Sequence, residues 1–450
     1  MSFIADLHIH SRYSRATSKD MTLEEISRWA QIKGIKVIGT GDLTHPEWFK
    51  EIKEKLQPSD NGLYQLKDKS RNSVPESCES DVFFMLSAEI SCIYSKKGRI
   101  RKIHSIIYLP DFTSAERLNR ELARIGNLSA DGRPILGLDA KDLLRIVLHC
   151  SPDALFVPAH AWTPHFSVFG SESGFDSLEE CFEELTQHIH AIETGLSSDP
   201  SMNWRLSSLD RITLMSNSDA HSPSKIGREA NIFDTEVSYP AIIKAVKEKI
   251  GFAGTIEFFP EEGKYHYDGH RPCEIRLSPA ETIRHNYLCP VCGKRVTVGV
   301  MNRVERLADR PIGFKPLNAP IYYSIIPLIE ILSEVFRTGV NTKRVEAEYF
   351  NLISKLGSEF RILMETPPKD IEEASTSLIR EAIERMRKGR IYISPGYDGV
   401  YGRIRIFEEH PEPVEGHPEP VEGLNNPGSE AQSHNGQVKS PDIKGQGMLF

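Results

Sequence analysis

The sequence predicts an α/β fold, because short apolar runs alternate with amphipathic helices through roughly the first 250 residues. A capping box at Thr22 and Glu25 begins the first helix, and Gly34 ends it. A buried strand follows at 35–39. The alternation continues with strands at 83–90, 103–109, 155–158, 191–193 and 212–215, and with helices at 177–189 and 241–249. This order favours either a layered sheet or a barrel.

Composition indicates a globular protein. The chain has 450 residues, of which 39% are hydrophobic and 26% are charged. No apolar stretch reaches the roughly 18 residues of a membrane span, and no secretion signal is visible, so a cytoplasmic location without membrane contact is expected. The formal net charge of −8 does not exclude a nucleic-acid partner, because residues 408–450 hold eight acidic residues against two lysines.

Four regions follow from changes in pattern. Residues 1–255 form the predicted α/β domain, and 256–315 form a short, basic, cysteine-containing module. Residues 316–407 are mostly helical in pattern, with helices predicted at 325–336, 345–356 and 371–388. Residues 408–450 contain a direct repeat, 410–416 and 417–423, with no aromatic residue in it, and are expected to form a disordered linker.

Histidine and acidic residues follow the carboxyl ends of successive predicted strands, where a parallel barrel places its catalytic groups. His8 and His10 are spaced i and i+2 on one extended segment, so both side chains reach one metal. The other residues of this kind are Asp42, Glu89, His160, Glu193, Asp219 and His221. A lone strand-end aspartate is most often a helix N-cap, and a lone histidine is most often a surface residue. Their repetition at one rim indicates a metal centre instead.

His104 begins its predicted strand rather than ending it. A hairpin that turns at Lys96 and Lys97 would place His104 opposite Glu89 and so return it to the same rim.

A second metal site is predicted in the cysteine-containing module. Cys289 and Cys292 form a Cys-x2-Cys knuckle, and Cys273 and His270 complete a closed structural zinc site. His266 or His285 is an alternative fourth ligand, and a redox Cys-x-x-Cys pair is the alternative function. The basic residues of this module suit either a phosphate backbone or a solvated face; they are Lys294, Arg295, Arg303 and Arg306.

The motifs of residues 1–255 resemble those of the polymerase and histidinol phosphatase (PHP) superfamily. The motifs are Asp6-Leu7-His8-Ile9-His10-Ser11, Thr40-Gly41-Asp42, Ala88-Glu89, His104, Pro158-Ala159-His160 and Ser218-Asp219-Ala220-His221. The resemblance implies a distorted (β/α)7 barrel that binds two or three divalent metals (Zn, Mn or Mg) and hydrolyses phosphoesters.

The resemblance also implies how the ligands are shared among the metals. His8, His10, Glu89 and Asp219 correspond to the first site; Glu89, His104 and His160 to the second; Asp42 and His221 to the third. Asp219, Glu89 and His160 are the expected catalytic residues. The family usually has Thr-Asp-His where this chain has Thr40-Gly41-Asp42, and His45 is a substitute candidate.

The arrangement of motifs over residues 1–407 resembles the endonuclease Q family more narrowly. After the PHP-like domain come the cysteine knuckle, a helical region and Gly396-Tyr397-Asp398-Gly399. The resemblance implies that damaged DNA is nicked on the 5′ side of uracil, hypoxanthine or an abasic site by metal-activated water, leaving a 3′-hydroxyl and a 5′-phosphate. The rivals are a histidinol-phosphate-type small-molecule phosphatase and a non-catalytic DNA-binding PHP protein. The zinc module argues against the first and the ligand set against the second.

Two further segments suggest contacts with substrate and partner. Residues 161–169 follow His160, and their aromatic side chains are candidates for holding an extruded base or equally for packing: Trp162, His165, Phe166 and Phe169. The last five residues resemble a sliding-clamp-binding peptide, in which Gln446, Leu449 and Phe450 would enter the clamp. An apolar end without a partner is the alternative.

Overall fold

A mixed β-sheet is the central element of the computed structural model, which describes residues 2–68 and 73–407. The predicted linker 408–450 and its clamp-like residues Gln446, Leu449 and Phe450 lie outside the described residues. Within the described part, every helix is too short or too polar to traverse a bilayer.

The described residues form seventeen strands and thirteen α-helices. The strands are β1 (Phe3–Asp6), β2 (Val37–Gly39), β3 (Leu56–Pro58), β4 (Tyr64–Leu66), β5 (Phe83–Lys96), β6 (Arg99–Leu109), β7 (Ile135–Leu136), β8 (Leu155–Pro158), β9 (Ala191–Glu193), β10 (Thr213–Met215), β11 (Ala230–Phe233), β12 (Phe252–Glu257), β13 (Asp268–His270), β14 (Ile275–Leu277), β15 (Ile321–Ser324), β16 (Tyr392–Ser394) and β17 (Arg403–Arg405). The helices are α1 (Leu23–Lys33), α2 (Pro46–Lys55), α3 (Phe112–Leu122), α4 (Ala140–Cys150), α5 (Leu178–Phe182), α6 (Pro200–Asn203), α7 (Tyr239–Glu248), α8 (Pro279–Arg284), α9 (Val300–Leu307), α10 (Leu328–Phe336), α11 (Lys343–Leu356), α12 (Pro368–Ala374) and α13 (Ser377–Arg387).

The sheet combines parallel and antiparallel neighbours. Strand β1 pairs in parallel with β2, which pairs in parallel with β5. On its other side β1 pairs antiparallel with β11, and β11 pairs antiparallel with β12. Beyond β5 the order continues antiparallel through β6 to β8, and β9 and β10 form a separate parallel pair. The α/β prediction is confirmed as a mixed sheet, while the distorted (β/α)7 barrel stays a prediction.

The α1 helix begins and ends where the sequence predicts, with only the Thr22 half of the predicted capping box formed. Thr22 Oγ1 accepts a hydrogen bond from the Glu25 backbone N–H at 3.3 Å, and Gly34 ends the helix with a φ of +90°. Two other predicted helices are broken. The 177–189 segment is α5 followed by a 3₁₀ helix, Glu183–His188, because Glu183 adopts a φ of +51°. The 371–388 segment is divided into α12 and α13, with Thr376 as the N-cap of α13.

The β5–β6 hairpin corrects the predicted register. It turns at Lys97 and Gly98, which both have positive φ, so His104 lies opposite Ser91 and not opposite Glu89. Glu89 faces Ile106 instead. His104 and Glu89 are nevertheless diagonal neighbours on one face, because side chains two positions apart along a strand point to the same side. Both strands are also longer than predicted, so Glu89 and His104 lie within them rather than at their ends.

Residues beyond the α/β domain add a strand to its sheet and form hydrogen bonds to one of its loops. Strand β15 pairs in parallel with β12, so the region after residue 316 contributes to the central sheet. Helix α9 carries Arg303, which donates to the backbone oxygens of Phe169 and Phe175, each at 2.8 Å, and contacts the Asp176 carboxylate at 2.7 Å. Arg303 is buried, so it takes neither of the two expected roles, a contact with a phosphate backbone or a place on a solvated face. It holds the loop that follows β8 instead.

Replacing Arg303 with Met is expected to lower the free energy of unfolding by about 2–4 kcal/mol, because two buried carbonyls lose a charged donor. Urea denaturation followed by circular dichroism measures this. Arg306→Met is the matched control, since Arg306 lies on the same helix, is 66% exposed and reaches Asp176 only at 3.8 Å. Equal loss in both variants would contradict a bridging role for Arg303.

Candidate metal centre

The chain beyond β1 carries the two histidines of the predicted first site. It runs beside residues 218–221, where the Asp219 N–H donates to the His8 carbonyl and the His10 N–H donates to the Ala220 carbonyl, at 2.9 and 3.0 Å. Asp6 holds residues 218–221 in place, because its carboxylate accepts hydrogen bonds from the Ser218 N–H at 3.1 Å and from the Ser218 hydroxyl at 2.6 Å. Burial raises the pKa of Asp6 to about 6. The local backbone thus brings His8, His10 and Asp219 together.

The predicted first site is assembled from three elements. His8, His10, Glu89 and Asp219 each offer a ligand atom, and these atoms all lie within 4.8 Å of one another. His10 Nε2 lies 3.3 Å from Glu89 Oε2 and 3.0 Å from Asp219 Oδ1. His8 Nε2 lies 3.6 Å from Glu89 Oε2 and 3.7 Å from Asp219 Oδ1.

The predicted second site uses the other oxygen of the same glutamate. Glu89 Oε1 lies 2.7 Å from His104 Nδ1 and 3.0 Å from His160 Nε2, and the two imidazole nitrogens are 3.2 Å apart. Glu89 therefore has one oxygen facing each cluster and is common to both.

The atoms of the first cluster fit a cation. His8 Nε2, His10 Nε2 and Asp219 Oδ1 are buried and have no hydrogen-bond partner. Buried polar atoms normally have partners, and imidazole nitrogens together with carboxylate oxygens are ligands for Zn, Mn and Mg. Divalent metals are thus supported by the donor set, whereas their identity and number remain predictions.

Buried carboxylates orient two of the imidazoles. His8 Nδ1 donates to Glu193 at 3.0 Å, and His10 Nδ1 donates to Asp42 Oδ1 at 2.9 Å. This arrangement fixes the tautomer, so that Nε2 is the free nitrogen that faces the cluster. Glu193 also accepts from Asn217 at 3.0 Å and from the His160 N–H at 2.8 Å.

The assignment of Asp42 as a metal ligand is wrong in this structure. Besides His10, Asp42 accepts from the Ser11 N–H at 2.6 Å and from the Ser11 hydroxyl at 2.7 Å, which occupies its second oxygen. Asp42 therefore supports His10 from behind.

His221 and His45 do not join a third cluster among the described residues. His221 Nδ1 donates to the Asp219 carbonyl at 2.8 Å, and its ring lies 4.6 Å from that of His10. His45 stacks on Tyr13 with 4.5 Å between ring centroids. A third metal held by His221 stays a prediction, without Asp42 as its partner.

Electrostatics keep the candidate ligands in states that suit a bound cation. Burial would raise the pKa values of Glu89 and Asp219, but contacts with neighbouring imidazoles outweigh it and hold both pKa values well below the ordinary range. For Glu89 the contacts that lower the pKa are with His104, Arg133 and His8, and of these Arg133 carries a permanent charge. Burial lowers the pKa of His104 to about 4, so this imidazole is neutral at physiological pH.

Three residues of the rim have positive backbone φ values, which non-glycine residues rarely adopt. They are Asp42 at +48°, His160 at +27° and Asp219 at +48°. Residues held in such conformations are concentrated at functional sites. Each of the three lies a few residues beyond the end of a strand: Asp42 after β2, His160 after β8 and Asp219 after β10.

The cysteine module brings its four predicted ligands together. His270, Cys273, Cys289 and Cys292 have ligand atoms within 4.8 Å of one another. Gly293, with a φ of +70°, allows the turn in which its N–H donates to the Cys289 carbonyl. The cluster contains His270 and neither alternative histidine, His266 or His285. A structural zinc at this cluster remains a prediction.

The four aromatic candidates for substrate contact separate into two groups. Trp162 and Phe169 are both 1% exposed, and Trp162 Nε1 donates to Asn203 at 2.7 Å, so their assignment to substrate is corrected to core packing. Phe166 is half-buried against the His104 ring at 4.6 Å, and His165 is exposed. These two remain at the rim.

Sequence reasoning missed Arg133 and Thr163, and it gave Glu193 no role other than that of a candidate ligand. Arg133 Nη1 donates to Glu89 Oε2 at 3.0 Å, and Thr163 Oγ1 accepts from His160 Nδ1 at 3.1 Å. The sequence offers no periodic signal for Arg133, because it lies in the loop after α3 and not at a strand end. Thr163 lies three residues after His160, and a search for hydroxyls near predicted ligands would have found it.

The fold and the two ligand clusters define a metal-dependent hydrolase. The structure matches a crystal structure of the lesion-specific endonuclease PfuEndoQ from Pyrococcus furiosus with a TM-score of 0.79 and 32% identity. That match covers 91% of this chain and 96% of the archaeal one. The chain belongs to the endonuclease Q family, as its motifs predict.

A second solved structure agrees with this assignment. A structure of Endonuclease Q in complex with a 27-mer duplex substrate carrying an abasic lesion at the active site matches with a TM-score of 0.76 and 31% identity, over 92% of this chain and 100% of that one. The uncharacterized protein MJ0043 of Methanocaldococcus jannaschii is 35% identical over 266 residues, which are 57% of this chain. The chain spans only 32% of the length of that relative. Residues 327–390 match the family described as the MJ0043 C-terminal domain.

Glu193→Gln is expected to weaken divalent-metal binding about 10- to 100-fold while leaving the fold intact, since the amide cannot accept from His8, Asn217 and the His160 N–H together. Calorimetric titration of metal-free protein with Mn²⁺ measures the change. The exposed Glu179→Gln serves as the control. Unchanged affinity in a folded Glu193→Gln protein would show that orientation of His8 is unimportant.

Proposed function

We propose that this chain is a DNA repair endonuclease that hydrolyses the phosphodiester on the 5′ side of deaminated bases, uracil or hypoxanthine, or of abasic sites. The likeness to a lesion-specific endonuclease and to an Endonuclease Q bound to an abasic duplex supports this. The 5′ polarity and the deaminated bases follow from the resemblance of the sequence motifs.

The observation that carries the proposal is the carboxylate of Glu89, which faces both ligand clusters. Six residues would hold the cations: His8, His10, Glu89, His104, His160 and Asp219. Adjacent divalent cations activate water for in-line attack on phosphorus and stabilise charge on the attacking and leaving oxygens.

The chain's own residues fix the geometry and the direction of approach. Glu89 is fully buried, whereas the side chains of Asp219, Arg133 and His221 are 10%, 17% and 23% exposed. The substrate phosphate therefore has to approach from the side of these three residues. The carboxylates beneath the imidazoles are buried and hold the ligand nitrogens in place.

Contact with the damaged nucleotide is assigned to His165 and Phe166. Their loop is tied to β6, because the His104 N–H donates to the Phe166 carbonyl at 3.0 Å. Lys102 Nζ lies 5.2 Å from the centroid of the Phe166 ring and adds positive charge at the same edge. An aromatic face next to a cation suits an unstacked base and its phosphate.

The finer parts of the proposal concern the scaffold. His270, Cys273, Cys289 and Cys292 would hold a structural zinc, because three thiolates and one imidazole fill a tetrahedral shell. The zinc-bound module then presents α9 and Arg303 to the loop that carries Phe166. Residues 1–255 would form the distorted (β/α)7 barrel, and 316–407 would add helical contacts to DNA.

Asp219→Asn should reduce nicking by at least about 100-fold without loss of fold, because a neutral amide neither ligates nor neutralises a cation as a carboxylate does. The assay uses the full chain, Mn²⁺ or Mg²⁺, and matched duplexes that contain uracil, hypoxanthine, an abasic site or no lesion. Fragment length identifies the nicked bond.

Asp153→Asn is the matched control, because Asp153 is exposed and precedes β8, whereas His160 follows its other end. Wild-type protein that cleaves a simple phosphate monoester but none of the lesions would overturn the proposal in favour of a small-molecule phosphatase. Full nicking by a folded Asp219→Asn protein would overturn the site.

The C-terminal residues Gln446, Leu449 and Phe450 are proposed to bind a sliding clamp, with 408–445 acting as a tether. Replacing Leu449 and Phe450 with Ala should abolish binding of a fluorescent 15-residue peptide to purified clamp, since few side chains supply the affinity of such a peptide. Nicking of short oligonucleotides should be unchanged in the full chain. Binding weaker than about 100 μM by the native peptide, or unaffected by the double change, would contradict the proposal.

A further inference from the structure

Arg133 contacts the glutamate on which both clusters depend. Its Nη1 donates to Glu89 Oε2 at 3.0 Å, and its side chain is 17% exposed. Glu89 is the only hydrogen-bond acceptor of the guanidinium among the described residues. A guanidinium carries five N–H donors, so most of them are available to another group at the open side of the centre.

The loop that carries Arg133 is held rigidly against the rim. The Gly132 N–H donates to the Tyr13 carbonyl at 3.0 Å, and the Ser91 N–H donates to the Pro134 carbonyl at 3.0 Å. A Cβ on Gly132 would lie 2.3 Å from Asp42 Oδ2. Only glycine at position 132 therefore lets the backbone of this loop come so close to Asp42. Strand β7 continues the loop and pairs with β5 at Ser91.

A role limited to neutralising Glu89 does not explain a cation at this position. Divalent cations held by the two clusters would themselves neutralise Glu89, and a fixed guanidinium beside them would oppose their binding by like-charge repulsion. A bound anion offsets this repulsion, because the guanidinium and the divalent cations all attract it. The phosphodiester of DNA is such an anion, and arginine binds phosphate oxygens with two parallel N–H groups.

We infer that Arg133 binds a non-bridging oxygen of the scissile phosphate and places the phosphorus over the Glu89 carboxylate. This assignment rests on the proposed phosphodiester hydrolysis and names the residue that selects the anionic group. Arg133 is then a catalytic residue, because its guanidinium touches the reacting group. The charge that builds on the phosphoryl oxygens in the transition state strengthens the same contact.

The test compares Arg133→Met, Arg133→Lys and Arg15→Met in the full chain. Arg15 is exposed, and its backbone N–H donates to Asp131, in the loop that carries Arg133. Its change to Met therefore removes an equal charge from the same rim. Three quantities are measured: metal content, affinity of the Mn²⁺-loaded protein for inorganic phosphate, and kcat/KM on an abasic duplex.

Arg133→Met should keep its metals, weaken phosphate binding at least about 10-fold and lower kcat/KM about 100-fold or more. Arg133→Lys should restore part of both losses, because the charge returns without the planar fork. Arg15→Met should remain within about twofold of wild type.

Two results would overturn the assignment. Loss of metal by Arg133→Met would make Arg133 a support for Glu89, and unchanged phosphate affinity with full metal content would place the phosphate elsewhere. If the wild-type protein nicks no DNA, the proposed function fails, while phosphate affinity still decides the role of Arg133.

Discussion

A single carboxylate has to serve two groups of ligands, and the architecture of the rim follows from that requirement. Glu89 Oε2 faces His8 and His10, and Oε1 faces His104 and His160, all within 3.6 Å. Four separate chain segments must therefore meet at one point. The long β5–β6 hairpin supplies Glu89 and His104 from adjacent strands, so both are positioned by the same ladder of backbone hydrogen bonds.

The concentration of buried charge is stabilised by a second set of buried polar groups. Asp6, Asp42 and Glu193 are each fully buried, and each accepts two or more hydrogen bonds from the segments that carry the ligands. Unpaired buried carboxylates would be strongly destabilising, so these contacts make the centre compatible with a folded protein. The positive φ values of His160 and Asp219 show that the backbone, too, is held away from its preferred conformation at this point.

The grouping of the candidate ligands was predictable because the i, i+2 spacing of His8 and His10 and the recurrence of histidine and acidic residues along successive strands are visible in the sequence. The structure brings His8, His10, Glu89, His104, His160 and Asp219 together, and likewise the cysteine quartet, although Glu89 and His104 lie within their strands and not at the strand ends. Asp42 was misassigned because the sequence does not distinguish a carboxylate that would bind the metal from one that hydrogen-bonds to a metal-binding histidine and orients it. Trp162 and Phe169 were misassigned because an apolar pattern does not tell which side of a loop is buried. Arg133 and the hairpin register depend on loop and turn geometry, which composition does not encode.

The central claim is that Glu89 is common to two cation sites, and metal stoichiometry tests it most directly. Equilibrium dialysis of metal-free full-length protein against Mn²⁺, with metal counted by mass spectrometry, is compared for wild type, Glu89→Gln and Asp219→Asn. The account predicts that Glu89→Gln weakens binding at both rim sites together, whereas Asp219→Asn, which contributes to one cluster only, weakens one. A Glu89→Gln protein that is folded and loses affinity at a single site, or at neither, would contradict it.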